Sequence, residues 1–291
     1  MTEYCCPETI EEAVAELKER GGEARVMAGG TDVLPDLRKG KIAPRCLVDI
    51  TRIPELQRIE VGEDWVTIGA AVTFGAMREN AFLRDHVQAL VDAAGSVGAG
   101  AIQNAATWAG NIVQAMPAAD GAIIGIALGA EAQIVGADGA RWELVEALFR
   151  GPGVSTVDPR REVIARLRFP RPRPGTGTAW RRLGRRSALV LPILNCAVRV
   201  ELDEEDGEVA EAVIALGPVA PRPSRARKAE RFLAGRSPRP EVLEEAGEIA
   251  RSEASPRSSV MRASKAYRLA ILPTLVTDAL AVAVERAEGR E

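Results

Sequence analysis

Residues 171–177 read Arg-Pro-Arg-Pro-Gly-Thr-Gly and cut the chain in two. Proline lacks the amide hydrogen that a helix interior or a ladder needs, and glycine brings no side chain to pack. No apolar face can cross such a segment, so the 291 residues divide into units at 1–171 and 178–291. Both lengths suit single domains. Hydrophobic residues make up 46% and charged residues 27%, which rules out disorder over most of the length. Aromatic residues are only 4%, so Ala, Val, Ile and Leu must fill the interiors.

The first unit opens on an amphipathic helix. Ile10, Ala13, Val14 and Leu17 fall at i, i+3, i+4 and i+7, and Gly21-Gly22 ends the run. A strand at Ala24–Met27 runs into Ala28-Gly29-Gly30-Thr31-Asp32. A helix-like turn follows around Pro35, then a second strand at Cys46–Ile50. This makes a compact α/β subdomain over about 1–56. From there to 171 the pattern predicts an α+β layer. It has a hairpin of Arg58–Val61 and Trp65–Ile68, helices at Thr73–Asn80 and Leu83–Ala94, and a buried helix at Asp120–Leu128. Strands are expected at Ala132–Val135 and Val163–Phe169. Residues 95–111 show no clean period. Beyond the linker, strands are expected at Thr178–Leu183, Leu189–Leu202 and Val209–Leu216, the last two joined at Asp206-Gly207. Two or three helices close the chain; the long one from Ser264 should kink at Pro273. The fold class is α+β.

Several functions are excluded at this level. Lys plus Arg total 38 against 41 for Asp plus Glu, a net charge of −3, which argues against capture of nucleic acid. No run approaches the roughly 18 apolar residues of a membrane helix, the best being Gly121–Ala130; no membrane span is expected. The start MTEYCCPETIEEA has no secretory pattern, so a cytoplasmic protein is expected. Cys5, Cys6, Cys46 and Cys196 have no CxxC spacing and His86 is the single histidine, so no metal or iron–sulfur site of the chain's own is expected. His86, in FLRDHVQAL, reads as an exposed or satisfied helical histidine rather than a catalytic base. Any enzyme built from this chain must borrow its chemistry from a bound group.

Two turns could hold such a group. Val26-Met-Ala-Gly-Gly-Thr-Asp ends a strand in two glycines and a hydroxyl, the composition that lets backbone amides converge on a phosphate. It is neither GxGxxG nor a P-loop, and by itself is as well read as a plain turn. Gln103-Asn-Ala-Ala-Thr107-Trp-Ala-Gly110-Asn111, followed by Pro117-Ala-Ala-Asp120, offers a hydroxyl, open backbone, an amide and a carboxylate. It suits a pyrophosphate or ribose, and equally a capped polar loop.

Taken together, and in this order, these segments resemble the FAD-binding subunit of the molybdenum hydroxylases, the family of the carbon monoxide dehydrogenase medium subunit and the xanthine dehydrogenase flavin segment. Gly217-Pro-Val-Ala-Pro-Arg-Pro looks like that family's G-x-V-A-x-x-P, and Ser264-Lys-Ala-Tyr-Arg its S-A-x-Y-R helix start. The resemblance spans nearly the whole chain. It implies an FAD-binding fold of the PCMH type, with two α/β subdomains (about 1–56 and 57–171), and a C-terminal domain (178–291) of a small antiparallel sheet with helices. It also implies FAD as cofactor: Ala28, Gly29, Gly30, Thr31 and Asp32 around the pyrophosphate, and Thr107, Gly110 and Asn111 holding phosphates or ribitol. Asp120 would fix a polar end of the cofactor, while Ile164 and Arg181 align with positions lining the flavin. A cation beside the ring would stabilise its anionic reduced form.

The family turn most often reads R-N-x-x-T-I-G-G-N; here Gln103, Trp108 and Ala109 depart from it. Trp108 is expected to pack rather than stack on cofactor, and Asp32 must point away from a pyrophosphate. The resemblance further implies an oxidoreductase subunit, a last electron relay beside a large molybdenum-cofactor subunit and a small 2Fe–2S subunit, in a dimer of heterotrimers. Arg185 and Arg186 would face the acidic iron–sulfur partner or serve as a solvated strand end, and the run Arg222–Arg231 reads as an exposed helix face. The rival readings are a scaffold that has lost FAD and a free-standing flavin oxidoreductase.

Overall fold

The computed structural model describes residues 2–186 and 188–290. The chain begins with β1 (Glu3–Cys5), α1 (Ile10–Glu19), β2 (Ala24–Met27), α2 (Val33–Arg38) and β3 (Cys46–Asp49). The strands form a parallel sheet in the order β1-β3-β2, which requires the crossovers that α1 and α2 supply. The first helix forms as its spacing predicts. The Thr9 hydroxyl accepts from the Glu12 N–H at 3.1 Å, Ile10, Ala13 and Leu17 are buried, and Gly21 at φ +56° turns the chain out. Pairing between β2 and β3 ends at Met27, where the glycine turn leaves the sheet.

The second layer runs β4 (Ile59–Val61), β5 (Trp65–Gly69), α3 (Phe74–Glu79), α4 (Ala81–His86), α5 (Gln88–Ser96), α6 (Gly100–Gln103), α7 (Trp108–Val113) and α8 (Asp120–Ala127). It continues through β6 (Glu131–Gly136), β7 (Gly139–Leu144), the short pair β8 (Phe149–Gly151) and β9 (Val154–Ser155), and β10 (Glu162–Pro170). An antiparallel sheet in the order β4-β5-β10-β6-β7 puts the last strand at its centre. The single helix expected at Leu83–Ala94 is two: Val87, at φ −138° and ψ 49°, breaks it after His86, and Asn80 caps the first half by accepting from the Leu83 N–H at 3.1 Å. His86 is exposed, its ring 4.6 Å from that of Phe82. The stretch without period holds the short helices α6 and α7. Edge strand β7 escaped sequence reading because it exposes most of both faces and has no alternation to read.

The third layer comprises β11 (Thr176–Leu183), β12 (Leu194–Leu202), β13 (Val209–Gly217), β14 (Ser224–Arg225), α9 (Arg227–Leu233), α10 (Pro240–Glu253) and α11 (Lys265–Ala287). The strands make one antiparallel sheet in sequence order. The strand expected from Leu189 starts only at Leu194, since Leu189 sits at φ +53° and Leu189 and Leu191 are exposed. α11 continues through Pro273 as one element. It is also long and apolar enough, by length and composition, to cross a membrane, which corrects the expectation that no such run exists. Leu272, Val276, Ala279, Leu280 and Ala283 are nonetheless buried, where α11 packs on α10, β11 and β12. Residues 222–231 are not one exposed helix face either. Arg225 lies on β14 and makes two 2.9 Å bonds to the buried Glu230 carboxylate.

One hydrophobic core serves the first two sheets and another the third. Trp180, Ala197 and Ala215 of the third sheet belong to the first core, and the Trp180 indole N–H donates to the Ser96 Oγ at 2.9 Å. That seam fixes the third layer against α5 and α8, and Ser96 also lines the cleft described next.

Candidate cofactor-binding cleft

The two glycine-bearing turns face each other. Gly29 packs so closely on the α6–α7 turn that a Cβ there would lie 1.7 Å from the Ala105 carbonyl oxygen. Gly30 sits at φ +67°, a conformation that L side chains rarely adopt. Among the described residues, the N–H groups of Gly29, Gly30, Thr31 and Asp32 donate to no backbone carbonyl. Gly29, Gly30 and Thr31 are half-buried and Asp32 is exposed, and consecutive backbone donors left free in this way can form a nest for an anion. A cavity of about 290 Å³ lies between the turns, lined by Ala28–Asp32 on one side and by Thr107, Ala109, Gly110 and Asn111 on the other; Ile164 of β10 also lines it.

The second wall is organised by capping. The Thr107 Oγ accepts from the Gly110 N–H at 3.1 Å, starting α7; its hydroxyl hydrogen stays available, while the Gly110 amide is spent on the cap. The Asn111 Oδ1 accepts from the Gly121 N–H at 2.9 Å, tying α7 to α8 and leaving its amide N–H groups free. Trp108 is buried, donates from its indole to the Gly121 carbonyl at 2.7 Å and meets Phe169 edge-on at 6.1 Å. It is a packing residue. Ala109 is the second residue of α7, where helical φ makes a glycine unnecessary. Gln103 is buried too, accepting from Arg78 at 2.7 Å and donating to the Gly95 carbonyl at 2.9 Å.

A second cavity, about 440 Å³, adjoins the first through the shared residues Asp32, Val97, Asn111 and Gln114. Asp120 lines it and is 6% exposed. The Asn195 amide donates to its Oδ1 at 2.7 Å and the Arg182 Nε lies 3.5 Å from its Oδ2. Burial lifts the Asp120 carboxyl to a pKa of about 6, against the pull of Arg182 and Asn195. Asp32 stands at the rim, its side chain capping nothing; the surrounding protein, then the Asp36 charge, raises its pKa. The combined space is in the roughly 300–1,000 Å³ range of ligand clefts.

The structure thus brings together Ala28, Gly29, Gly30, Thr31, Asp32, Thr107, Gly110, Asn111 and Ile164, with Asp120 in the adjoining lobe. Arg181 is not among the residues lining either cavity. Its guanidinium donates to the Trp180 carbonyl at 3.1 Å, and the neighbouring Arg182 reaches Asp120 instead. Successive strand residues face opposite ways, so a one-residue difference decides which arginine points in. Asn195, opposite Arg182 in the β11–β12 ladder and fully buried, was missed by sequence reading. An asparagine inside the apolar run Leu-Pro-Ile-Leu-Asn-Cys-Ala-Val was its available signal. Arg268, 2% exposed and lining the second cavity, had none beyond the family-like helix start.

Comparison with known proteins gives matches over this whole architecture. Residues 1–172 match the family described as the FAD binding domain in molybdopterin dehydrogenase, and residues 179–283 the CO dehydrogenase flavoprotein C-terminal domain. The xanthine dehydrogenase FAD-binding subunit of Escherichia coli is 32% identical over 270 residues, covering 92% of this chain and 91% of the relative. The carbon monoxide dehydrogenase medium chain of Hydrogenophaga pseudoflava is 28% identical over 284 residues, covering 98% and 97%. Among solved structures, carbon monoxide dehydrogenase from Hydrogenophaga pseudoflava superposes with a TM-score of 0.91 at 30% identity, covering 98% of each chain. Quinoline 2-oxidoreductase from Pseudomonas putida superposes with a TM-score of 0.89 at 25% identity, covering 99% and 98%.

Proposed function

The chain belongs to the FAD-binding subunit family of the molybdopterin dehydrogenases, and from that premise we propose that it relays electrons from the 2Fe–2S clusters of a small partner subunit, through FAD, to NAD or another acceptor. It is an oxidoreductase subunit with FAD as its cofactor. The observation that carries the cofactor assignment to particular residues is the run of free amides at Gly29–Asp32 facing Thr107 and Asn111 across one cavity. Those amides and the Thr107 hydroxyl would hold the pyrophosphate, and Asn111 would offer its amide to phosphate or ribitol. Ile164 would bound the cleft on its sheet side, and Asp120, kept in place by Arg182 and Asn195, would bond a polar end of the cofactor.

When bound, FAD supplies the redox chemistry that no side chain here offers. The protein's part is to bind, orient and exclude water. Asp32 lines the rim of the cleft, and the half-neutralised Asp120 can carry its proton near pH 6. The scaffold reading leaned on Gln103 and Ala109, but the first braces Arg78 against Gly95 and the second is helical, so neither marks a lost site. By analogy with relatives named medium chains, the partners are a large molybdenum-cofactor subunit and a small iron–sulfur subunit, in a cytoplasmic dimer of heterotrimers. Arg185 and Arg186 are exposed and available to an acidic partner.

The test is FAD binding, measured by visible spectrum and by flavin fluorescence during titration of the purified chain, alone and with its partner subunits. Stoichiometric binding that Gly29→Val or Thr107→Val abolishes is expected. No binding in either preparation would return both turns to a structural role.

A further inference from the structure

The lobe of the cleft beside Asp120 carries more positive charge than a cofactor anchor requires. The connection between α10 and α11 brings Arg257 and Arg262 to its wall, the first turn of α11 brings Arg268, and Arg182 comes from β11. These arginines form a graded series: Arg257 is exposed, Arg262 half-buried and Arg268 2% exposed. Only Arg182 has a carboxylate, Asp120, and the single other acid in the lining is Asp32. Among the described residues, Arg257, Arg262 and Arg268 make no ion pair within 4.0 Å. The Arg268 Nη1 donates to the Pro218 carbonyl at 3.2 Å, while its buried Nε has no hydrogen-bond partner. A further cation, Arg185, donates from its Nη2 to the Arg262 carbonyl at 3.1 Å.

This arrangement is costly by itself. Burial first, then the charges of Arg262 and Arg257, lower the proton affinity of the Arg268 guanidinium; burial and Arg257 do the same to Arg262. Like charges that converge on one cavity need a negative group to offset them. A quinone or dioxygen is uncharged and offers nothing to three guanidiniums. A phosphate does, because the planar guanidinium fork matches its oxygens two at a time.

We propose that the wall formed by Arg257, Arg262 and Arg268 binds the phosphate groups of a soluble dinucleotide electron acceptor. The assignment rests on the FAD reading above and narrows the acceptor left open there. The exposed Arg257 attracts the anion at the mouth, as charged clefts focus oppositely charged ligands. Arg262 and the buried Arg268 then fix it in the lobe that opens onto Asp32 and Asn111.

The test uses the FAD-loaded complex in its oxidised state, without turnover, titrated calorimetrically with NAD⁺, NADP⁺, inorganic pyrophosphate and an uncharged short-chain quinone. One dinucleotide is expected to bind with salt-dependent affinity, and pyrophosphate to compete with it. Arg257→Ala and Arg262→Ala should each weaken binding about tenfold or more, the worth of a charge-assisted hydrogen bond. Arg262→Lys should recover part of that loss, and FAD content and the visible spectrum should stay unchanged in all variants. Equal affinity in the variants, or no dinucleotide binding, overturns the proposal. Pyrophosphate binding without dinucleotide binding reduces the wall to a free-anion site and overturns it as well. Loss of FAD in the variants assigns the arginines to the cofactor's own phosphates, with the same consequence. A wild-type complex that holds no flavin would instead be the failure of the FAD reading, visible in its spectrum before any titration.

Discussion

At Gly29 a single hydrogen atom keeps the cleft's two walls in register. A methyl group there would overlap the Ala105 carbonyl, backbone against backbone, with no flexible side chain to give way. Gly29→Ala is expected to cost about 2–3 kcal/mol through overpacking, read by urea denaturation. Gly151→Ala, where nothing lies within 4 Å, should stay within about 0.5 kcal/mol. Equal effects at the two positions would contradict the close approach. Asp120 gives a second residue-scale prediction. Its folded pKa of about 6 lies above the ordinary carboxylate value of 3.8 because burial disfavours the charge. The native state therefore holds a proton that the unfolded chain has released. The associated stability is present below pH 3.8 and is lost as pH rises through about 6. Relative to Asp120→Asn, the wild type should lose about 2 kcal/mol between pH 4 and pH 6 and change little above pH 7. A difference that does not vary with pH over that window would be inconsistent with a buried, proton-holding carboxyl.

Helices α7 and α8 act as one element because two side chains of α7 tie them together. The Asn111 carboxamide accepts from Gly121 and the Trp108 indole donates to the Gly121 carbonyl, while the Trp108 ring also meets Phe169 of β10 edge-on. Replacing the indole by a phenyl ring keeps most of the volume and leaves a buried carbonyl without its donor. Trp108→Phe should cost about 1–3 kcal/mol, which for a chain of this size lowers Tm by several degrees. A thermal shift of less than a degree would mean that the bond contributes nothing to holding the second wall. Element by element, the sequence was readable wherever a local signal existed. The spacing of Ile10, Ala13 and Leu17 gives the buried face of α1, and Gly207 at φ +69° turns the β12–β13 hairpin. It was unreadable where the signal was tertiary. Val87 breaks a helix although valine is no breaker, and β7 is a strand only because β6 offers it an edge.

The whole molecule has two cores but not two independent halves. Trp180, Ala197 and Ala215 come from the third sheet yet pack into the core of the first two, and the Trp180–Ser96 bond crosses the same seam. The chain should therefore unfold in one cooperative calorimetric transition in spite of the Pro-Gly linker. Two well-separated transitions would show that the seam is too weak to couple the cores. The arginine wall is a property of this scale as well, since Arg182 and Arg268 meet around one cavity only after the third layer has folded against the second.

What the amino-acid sequence determined by itself was local: the linker, most of the helices and strands, and two turns rich in glycine and hydroxyl groups. Those features depend on neighbours within a few residues, through backbone sterics, capping and hydrophobic period, and so are written in short stretches of chain. Only the tertiary structure decided that Arg182 rather than Arg181 reaches Asp120 and that Asn195 braces it. It alone left Arg257 and Arg262 of the α10–α11 connection and Arg268 of α11 lining one cavity without carboxylate partners. Sidedness on a strand is set by ladder register, and a cavity by the meeting of distant layers; neither is encoded in any window of neighbouring residues.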